Sequence, residues 1–210
     1  MKKLLLSIVV ALGAMTISAQ EAGSMWIGGT LGGNYSNPND GMKDRTTMTF
    51  NVNPEIGYIL TENLGIGLRL GYSYGRDVSS YEFGTLGREV SEKYYTHTYS
   101  VSPFIRTTFL KGSLGAFFID AGGSIGYGKT KEAYRVSEYP AGNMDESSKL
   151  NLYNLGITPG FAVNVLPGFS LIGKFGFLGY THTREKGYTS NNYGLSLDLD
   201  DISFGAILTF

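Results

Sequence analysis

The chain has 210 residues, with 17 basic and 18 acidic side chains, no cysteine, and 30 glycines beside 15 tyrosines. A near-neutral charge argues against a nucleic-acid partner, which wants a basic surface, and the absence of thiols excludes disulfides and thiolate metal sites. The length allows one domain.

Residues 1–19 read as a cleaved export signal. Lys2 and Lys3 form a positive start, Leu4 begins an apolar run that ends near Ala14, and a cut after Ala19 fits a small-residue site. The apolar run is too short to span a bilayer as a helix. Removing these residues leaves 15 basic against 18 acidic groups. Residues 20–210 are expected to be one β-barrel domain, and no later stretch is apolar enough for a transmembrane helix.

The pattern predicts eight strands. The first covers about residues 25–35, with Met25, Ile27, Leu31 and Tyr35 on one parity. Turn chemistry fills residues 36–45, around Asn37-Pro38-Asn39-Asp40-Gly41. The second and third strands form a hairpin about Thr61-Glu62-Asn63 and give the clearest signal in the chain. Leu64, Ile66, Leu68, Leu70, Tyr72 and Tyr74 alternate with Gly65, Gly67, Arg69, Gly71 and Ser73. A period of two belongs to a two-faced strand and not to a helix.

A loop is expected over residues 77–92, then strand four over 94–107 and a turn at Leu110-Lys111-Gly112-Ser113. Strand five covers 115–129, and a long, densely charged loop takes 130–148. Strand six covers 150–165, Leu166-Pro167-Gly168 turns the chain, and strand seven covers 169–182. There Phe169, Leu171, Phe175 and Phe177 share the apolar parity. A loop over 183–192 leads to the last strand, 193–210.

Connections alternate short and long, as in a membrane barrel with short periplasmic turns and longer outer loops. Pro54, Pro103 and Pro159 recur in strands two, four and six, where a missing donor predicts a broken bond or bulge at each. The last strand changes phase. Leu195, Leu197 and Leu199 are apolar on odd numbers, but Ile202, Phe204, Ala206, Leu208 and Phe210 on even ones. A bulge near Asp200-Asp201 absorbs the slip, or residues 195–199 stand beyond the membrane.

An aromatic final residue with apolar residues at alternate positions before it resembles the C-terminal assembly signal of Gram-negative outer-membrane proteins: Ile202, Phe204, Leu208, Phe210. Residues 25–210 resemble the small eight-stranded barrels of the outer membrane protein A and X type. The run from Pro54 through Ile56-Gly57-Tyr58, Leu64-Gly65-Ile66-Gly67-Leu68 and Tyr72-Ser73-Tyr74 is similar to the outer-membrane β-barrel domain family common in Bacteroidetes. The resemblance implies an all-β, eight-stranded antiparallel up-and-down transmembrane barrel in the cell outer membrane. Its implied partners are outer-membrane lipid and lipopolysaccharide, the assembly machinery, and an unknown extracellular partner of the loops.

With the apolar parity outside, Glu55, Arg69, Arg106, Asp120 and Lys174 fall inside, each a few residues from a short turn. Charges there must pair or stay wet. A salt-bridge layer plugging the lumen is the first expectation, with Glu55–Arg69 and Arg106–Asp120 as neighbouring pairs. A charged constriction that selects ions is the alternative. Inward Gly65, Gly67, Gly71, Gly122 and Gly126 could leave water-filled space. Outside, Tyr35, Tyr72, Tyr74, Tyr95, Tyr99, Tyr127 and Tyr153 form an aromatic girdle toward the long loops. Tyr58, Phe117, Phe161, Phe169 and Phe210 form its counterpart at the short turns.

No cofactor, metal site or enzymatic activity is expected. His97 and His182 lack partners at ligand spacing. A lipid hydrolase built on His97 with Ser100, or on His182 with a loop serine, is the weakest alternative, because no motif supports it. The expected function is structural or surface interaction through the loops; a narrow porin or ligand-uptake channel is the alternative.

Overall fold

The computed structural model describes residues 22–37, 43–83, 88–136, 144–196 and 202–210, so the expected export signal lies outside the described residues. Ten strand segments follow in chain order. They are β1 (Met25–Ser36), β2 (Lys43–Thr61), β3 (Leu64–Phe83), β4 (Arg88–Phe109) and β5 (Gly115–Val136), then β6 (Met144–Leu166), β7 (Phe169–Lys174), β8 (Phe177–Glu185), β9 (Tyr188–Ser196) and β10 (Ser203–Thr209). Each segment from β1 to β6 pairs antiparallel with the next. β6 pairs β7, β7 pairs β10, and β10 pairs β1. The result is a closed ring of eight strands with no edge along its lower half.

Alternation places the side chains as the sequence predicts. Ile56, Leu68, Ile105, Phe117 and Leu171 are exposed on the outer face, while Glu55, Phe104, Phe118 and Ile172 are buried in the lumen. Among the described residues no helix is long and apolar enough to cross a membrane.

Three expectations change. The first concerns loops. Residues 77–83 and 88–92 continue β3 and β4 as paired strand, and residues 130–136 and 144–148 continue β5 and β6. Above the tyrosine row the inner face is lined by polar, mostly half-buried side chains, so a strand there is held by ladder bonds without an alternating apolar face.

The second concerns strand seven, which is broken at Phe175-Gly176. β7 pairs β6 with Gly160 opposite Lys174, but β8 pairs it with Ile157 opposite Leu178, a slip of one residue. Gly176 has φ +69°, a left-handed conformation that glycine adopts without penalty. Leu171 and Leu178 therefore both face outward although one is odd and the other even. Phe177, expected outside, turns into the lumen, where its ring covers Gly156.

The third concerns strand eight, which is two segments, β9 on β8 and β10 on β7. Exposed Leu195 and exposed Phe204 have opposite parity, so the phase change is real. Asp200 and Asp201, where a bulge was expected, lie outside the described residues.

At Pro54 and Pro103 the ladder to the following strand is interrupted, without a change of register. At Pro159 it coincides with the β7–β8 break, and the Phe175 amide donates to the Pro159 carbonyl at 3.1 Å. In all three strands the proline keeps its pairing to the preceding strand and loses it to the next.

Candidate functional site

The five inward charges meet in one layer. Register sets two pairs directly, Glu55 opposite Arg69 and Arg106 opposite Asp120. Lys174 enters from β7 on the other side of the lumen. Arg106 donates Nε to Asp120 Oδ1 at 2.7 Å, and Nη2 to Asp120 Oδ2 at 2.9 Å and to Glu55 Oε1 at 2.8 Å. Arg69 donates Nε to Glu55 Oε2 at 3.2 Å and Nη2 to Asp120 Oδ2 at 2.6 Å. Lys174 Nζ donates to Glu55 Oε2 at 2.6 Å and lies 3.1 Å from Asp120 Oδ2. Every cation thus touches both acids, which a set of separate pairs does not do.

The layer is dry. Glu55 and Asp120 are each 3% exposed and Lys174 4%. Aromatic rings supply the remaining surroundings of the cations. The Arg106 guanidinium stands 4.3 Å from the centre of the Phe118 ring and 5.2 Å from those of Trp26 and Phe104, and Arg69 stands 4.6 Å from Phe104. Such stacking favours a desolvated cation. Below the layer, Trp26, Ile59, Phe118, Ile172 and Ile207 fill the lumen toward the short turns.

The rings need the glycines. A Cβ on Gly57 would lie 2.1 Å from the Trp26 ring, and one on Gly67 would lie 2.5 Å from Phe104. Gly65 likewise lies under Trp26. Two of the glycines expected to leave open space, Gly65 and Gly67, therefore seat aromatic rings instead. Space does remain above the layer, where Gly122 borders a cavity of about 230 Å³ walled by Asn53, Ser102, Asn154 and Thr158. Arg69, Asp120 and Lys174 form its floor.

A second group of charges, not anticipated from the sequence, lines the inside of the hairpins higher up. Asp77 accepts from Arg45 at 2.5 Å and from the Thr47 hydroxyl at 3.2 Å. Tyr81 donates to Glu92 at 3.0 Å and Tyr94 to Glu132 at 2.9 Å, while Ser148 donates to Glu185. Burial, and then the bond to Glu132, push the Tyr94 phenol up to about 12. The hydrogen bond to Glu92 raises Tyr81, and the Asp77 carboxylate raises Arg45. The alternation that would have revealed this layer continues through Asp77, Ser79 and Tyr81, but the charges in that stretch read as a loop.

On the outer face Tyr35, Tyr99, Tyr127 and Tyr153 are exposed. Tyr72, Tyr74 and Tyr95 share that face but are half-buried by their neighbours. Tyr72 packs on Tyr99 at 5.2 Å between ring centres. His97 sits in this row, its Nδ1 3.0 Å from the Tyr72 hydroxyl. Ser100 points the other way, into the lumen against Gly71, so parity separates the His97–Ser100 pair. His182 Nδ1 lies 2.7 Å from Asn191 Oδ1, which also accepts from the Tyr180 hydroxyl. Among the described residues no three potential ligands converge to hold a metal ion.

Just above the tyrosines the outer face is basic. Lys129 faces His97 on one side and Lys149 on the other, Lys131 faces Tyr95, and Arg184 faces Asn151. Of the terminal residues, Phe204 is exposed and Ile202, Leu208 and Phe210 are half-buried. Phe210 and Met25 exchange backbone hydrogen bonds at 2.8 and 2.9 Å, closing the seam between first and last strands.

No family model and no curated protein matches the chain. Solved structures are similar over most of their length. The attachment invasion locus protein Ail of Yersinia pestis is 16% identical, with 90% of this chain and 99% of that one covered and a TM-score of 0.38. Neisserial surface protein A is 17% identical, with 90% and 98% covered and a TM-score of 0.38. A major outer membrane protein from Thermus thermophilus is 14% identical, with 90% and 100% covered and a TM-score of 0.48.

Proposed function

We propose that the chain is an integral barrel of the cell outer membrane, closed at mid-height by the charged layer, whose work is done by hairpins standing outside the membrane. The observation that carries this reading is the reversal of polarity across the wall. Exposed Ile56, Leu68 and Ile105 ring the outside at the level where charges are packed within. A water-soluble barrel has the opposite need, and a lipid-facing one has this need. The tyrosine row above and Tyr58 and Phe117 below fit the two interfaces.

The hairpins extend well beyond the tyrosines. β3 and β4 stay paired from Tyr72–Tyr99 to Phe83–Arg88, and β5 and β6 from Tyr127–Asn151 to Tyr134–Met144. At about 3.4 Å per residue these reach roughly 37 and 24 Å past the row. Surface recognition is their natural role. The basic belt of Lys129, Lys131, Lys149 and Arg184 lies where lipid phosphates are expected, which supports lipopolysaccharide as a partner. The pattern ending at Phe210 is our proposed signal to the assembly machinery.

The test is fractionation with conductance. Exported protein should be found in outer-membrane fractions, migrate faster unboiled than boiled, and give no stepwise conductance in planar bilayers. A soluble periplasmic monomer overturns the membrane reading. Steady single-channel steps overturn the closed lumen and restore the narrow channel.

A further inference from the structure

We propose that the cavity above the charged layer is a binding site for a small oxyanion, held by Arg69. The layer does not balance. Among the described residues three cations, Arg69, Arg106 and Lys174, share two carboxylates, Glu55 and Asp120. One positive charge is left over in a mostly buried layer, where an unbalanced charge is costly.

The surplus has an address. Arg106 is enclosed by Trp26, Phe104 and Phe118, and Lys174 is 4% exposed. The Arg69 side chain is 17% exposed, the most accessible of the five. Its Nε and Nη2 are used, but Nη1 has no partner among the described residues. A guanidinium offers five donors in a planar fork that suits an oxyanion. Arg69 lines the cavity of about 230 Å³, which is roomy enough for such a guest.

The walls agree. Ser102 stands directly opposite Arg69 in the β3–β4 register, and Thr30, Asn53, Thr158 and Ser203 also border the space. They offer neutral hydroxyl and amide donors. Among the described residues, no carboxylate other than Asp120 borders the cavity. Asp77, the lowest on β3, lies eight residues above Arg69, roughly 27 Å along the strand and beyond the screening length of about 8 Å. It is also neutralised by Arg45. The proposal rests on the geometry of the charged layer and is independent of what the hairpins bind.

Selenate, an oxyanion with an anomalous signal, is the probe for crystals of the refolded full barrel. Inorganic phosphate, exchanged for chloride at constant ionic strength, is the probe for thermal unfolding in detergent. The expected result is one selenate peak within hydrogen-bond reach of Arg69 Nη1, and an unfolding midpoint that rises with phosphate to a plateau. Both effects should vanish in Arg69→Met, which leaves two cations for two acids. They should also vanish in Ser102→Asp, which supplies a carboxylate opposite the arginine without removing any cation. Should Arg69→Met fail to fold, Ser102→Asp carries the test alone. No peak at saturating selenate, or a peak and a midpoint rise that persist in Ser102→Asp, overturns the proposal.

Discussion

At the level of Arg69 four of the five charges are buried and every cation meets both acids, whereas at the level of Asp77 the acids are partly exposed and held mainly by hydroxyls. The two levels lie on the same strands and in the same lumen. Their difference follows from what surrounds the wall. Where the outer face is apolar, the inner charges are mostly shielded from water, so they must satisfy one another. Where the outer face carries Lys129, Lys131 and Lys149, the inner acids are only half-buried, and a phenol or serine is partner enough. Glu132 even stands directly opposite Glu146, a like-charge pairing tolerable only in solvent.

The largest test of that contrast is Glu55→Gln. It leaves three cations with one acid, and about 3–5 kcal/mol of stability should be lost because the others are stranded. Denaturant unfolding in detergent measures this, and a loss below about 1 kcal/mol would mean that water fills the layer. Glu132→Gln, its counterpart in the hairpin, should cost no more than about 1 kcal/mol, as exposed pairs do.

Within the layer the arginines should be unequal. Arg106→Met breaks three hydrogen bonds and empties an aromatic enclosure, so it should cost several kcal/mol, roughly as the loss of a buried partner does. Arg69→Met leaves charges balanced and should cost distinctly less. Equal losses would mean that the surplus charge has no preferred seat.

Glycine substitutions probe packing at the two levels. Gly67→Ala pushes a methyl into the Phe104 ring and should cost about 1–3 kcal/mol. Gly194→Ala in the upper hairpin meets nothing within 4 Å and should be near neutral. Thermal midpoints of the two variants, compared side by side, decide it.

The smallest expected effect is a titration. Tyr94 has its folded pKa raised from 10.0 to about 12. The protonated phenol is the form the fold prefers, so its contribution is complete below pH 10 and fades between pH 10 and 12. Absorbance of phenolate should show a late phase that includes Tyr94, and Glu132→Gln should advance it. An unchanged curve in that variant would detach Tyr94 from Glu132.

Much of the barrel was legible because alternation is a local property. Leu64 to Tyr74 declares its two faces without help from any other strand, and the inward parity of Glu55, Arg69, Arg106, Asp120 and Lys174 follows from the same count. Neighbouring strands also gave the Glu55–Arg69 and Arg106–Asp120 pairings, since hairpin register is set by a short turn. Local pattern fails where water removes the penalty for a wrong face. Residues 77–92 looked like loop for that reason, although they are largely paired strand. It fails again at Gly176, where one left-handed residue reverses the parity of all that follows in β8 and brings Phe177 inside.

What only closure of the ring decided is who meets whom across the lumen. Lys174 is 119 residues from Glu55 along the chain, yet it donates to Oε2 at 2.6 Å. Trp26, on the first strand, lies against Arg106 on the fourth and over Gly57 and Gly65. The sequence determines which side chains point inward, because each strand carries its own period of two. Their depth relative to one another, and therefore a layer of three cations on two acids, depends on stagger summed around eight strands, a quantity that no single stretch of chain contains.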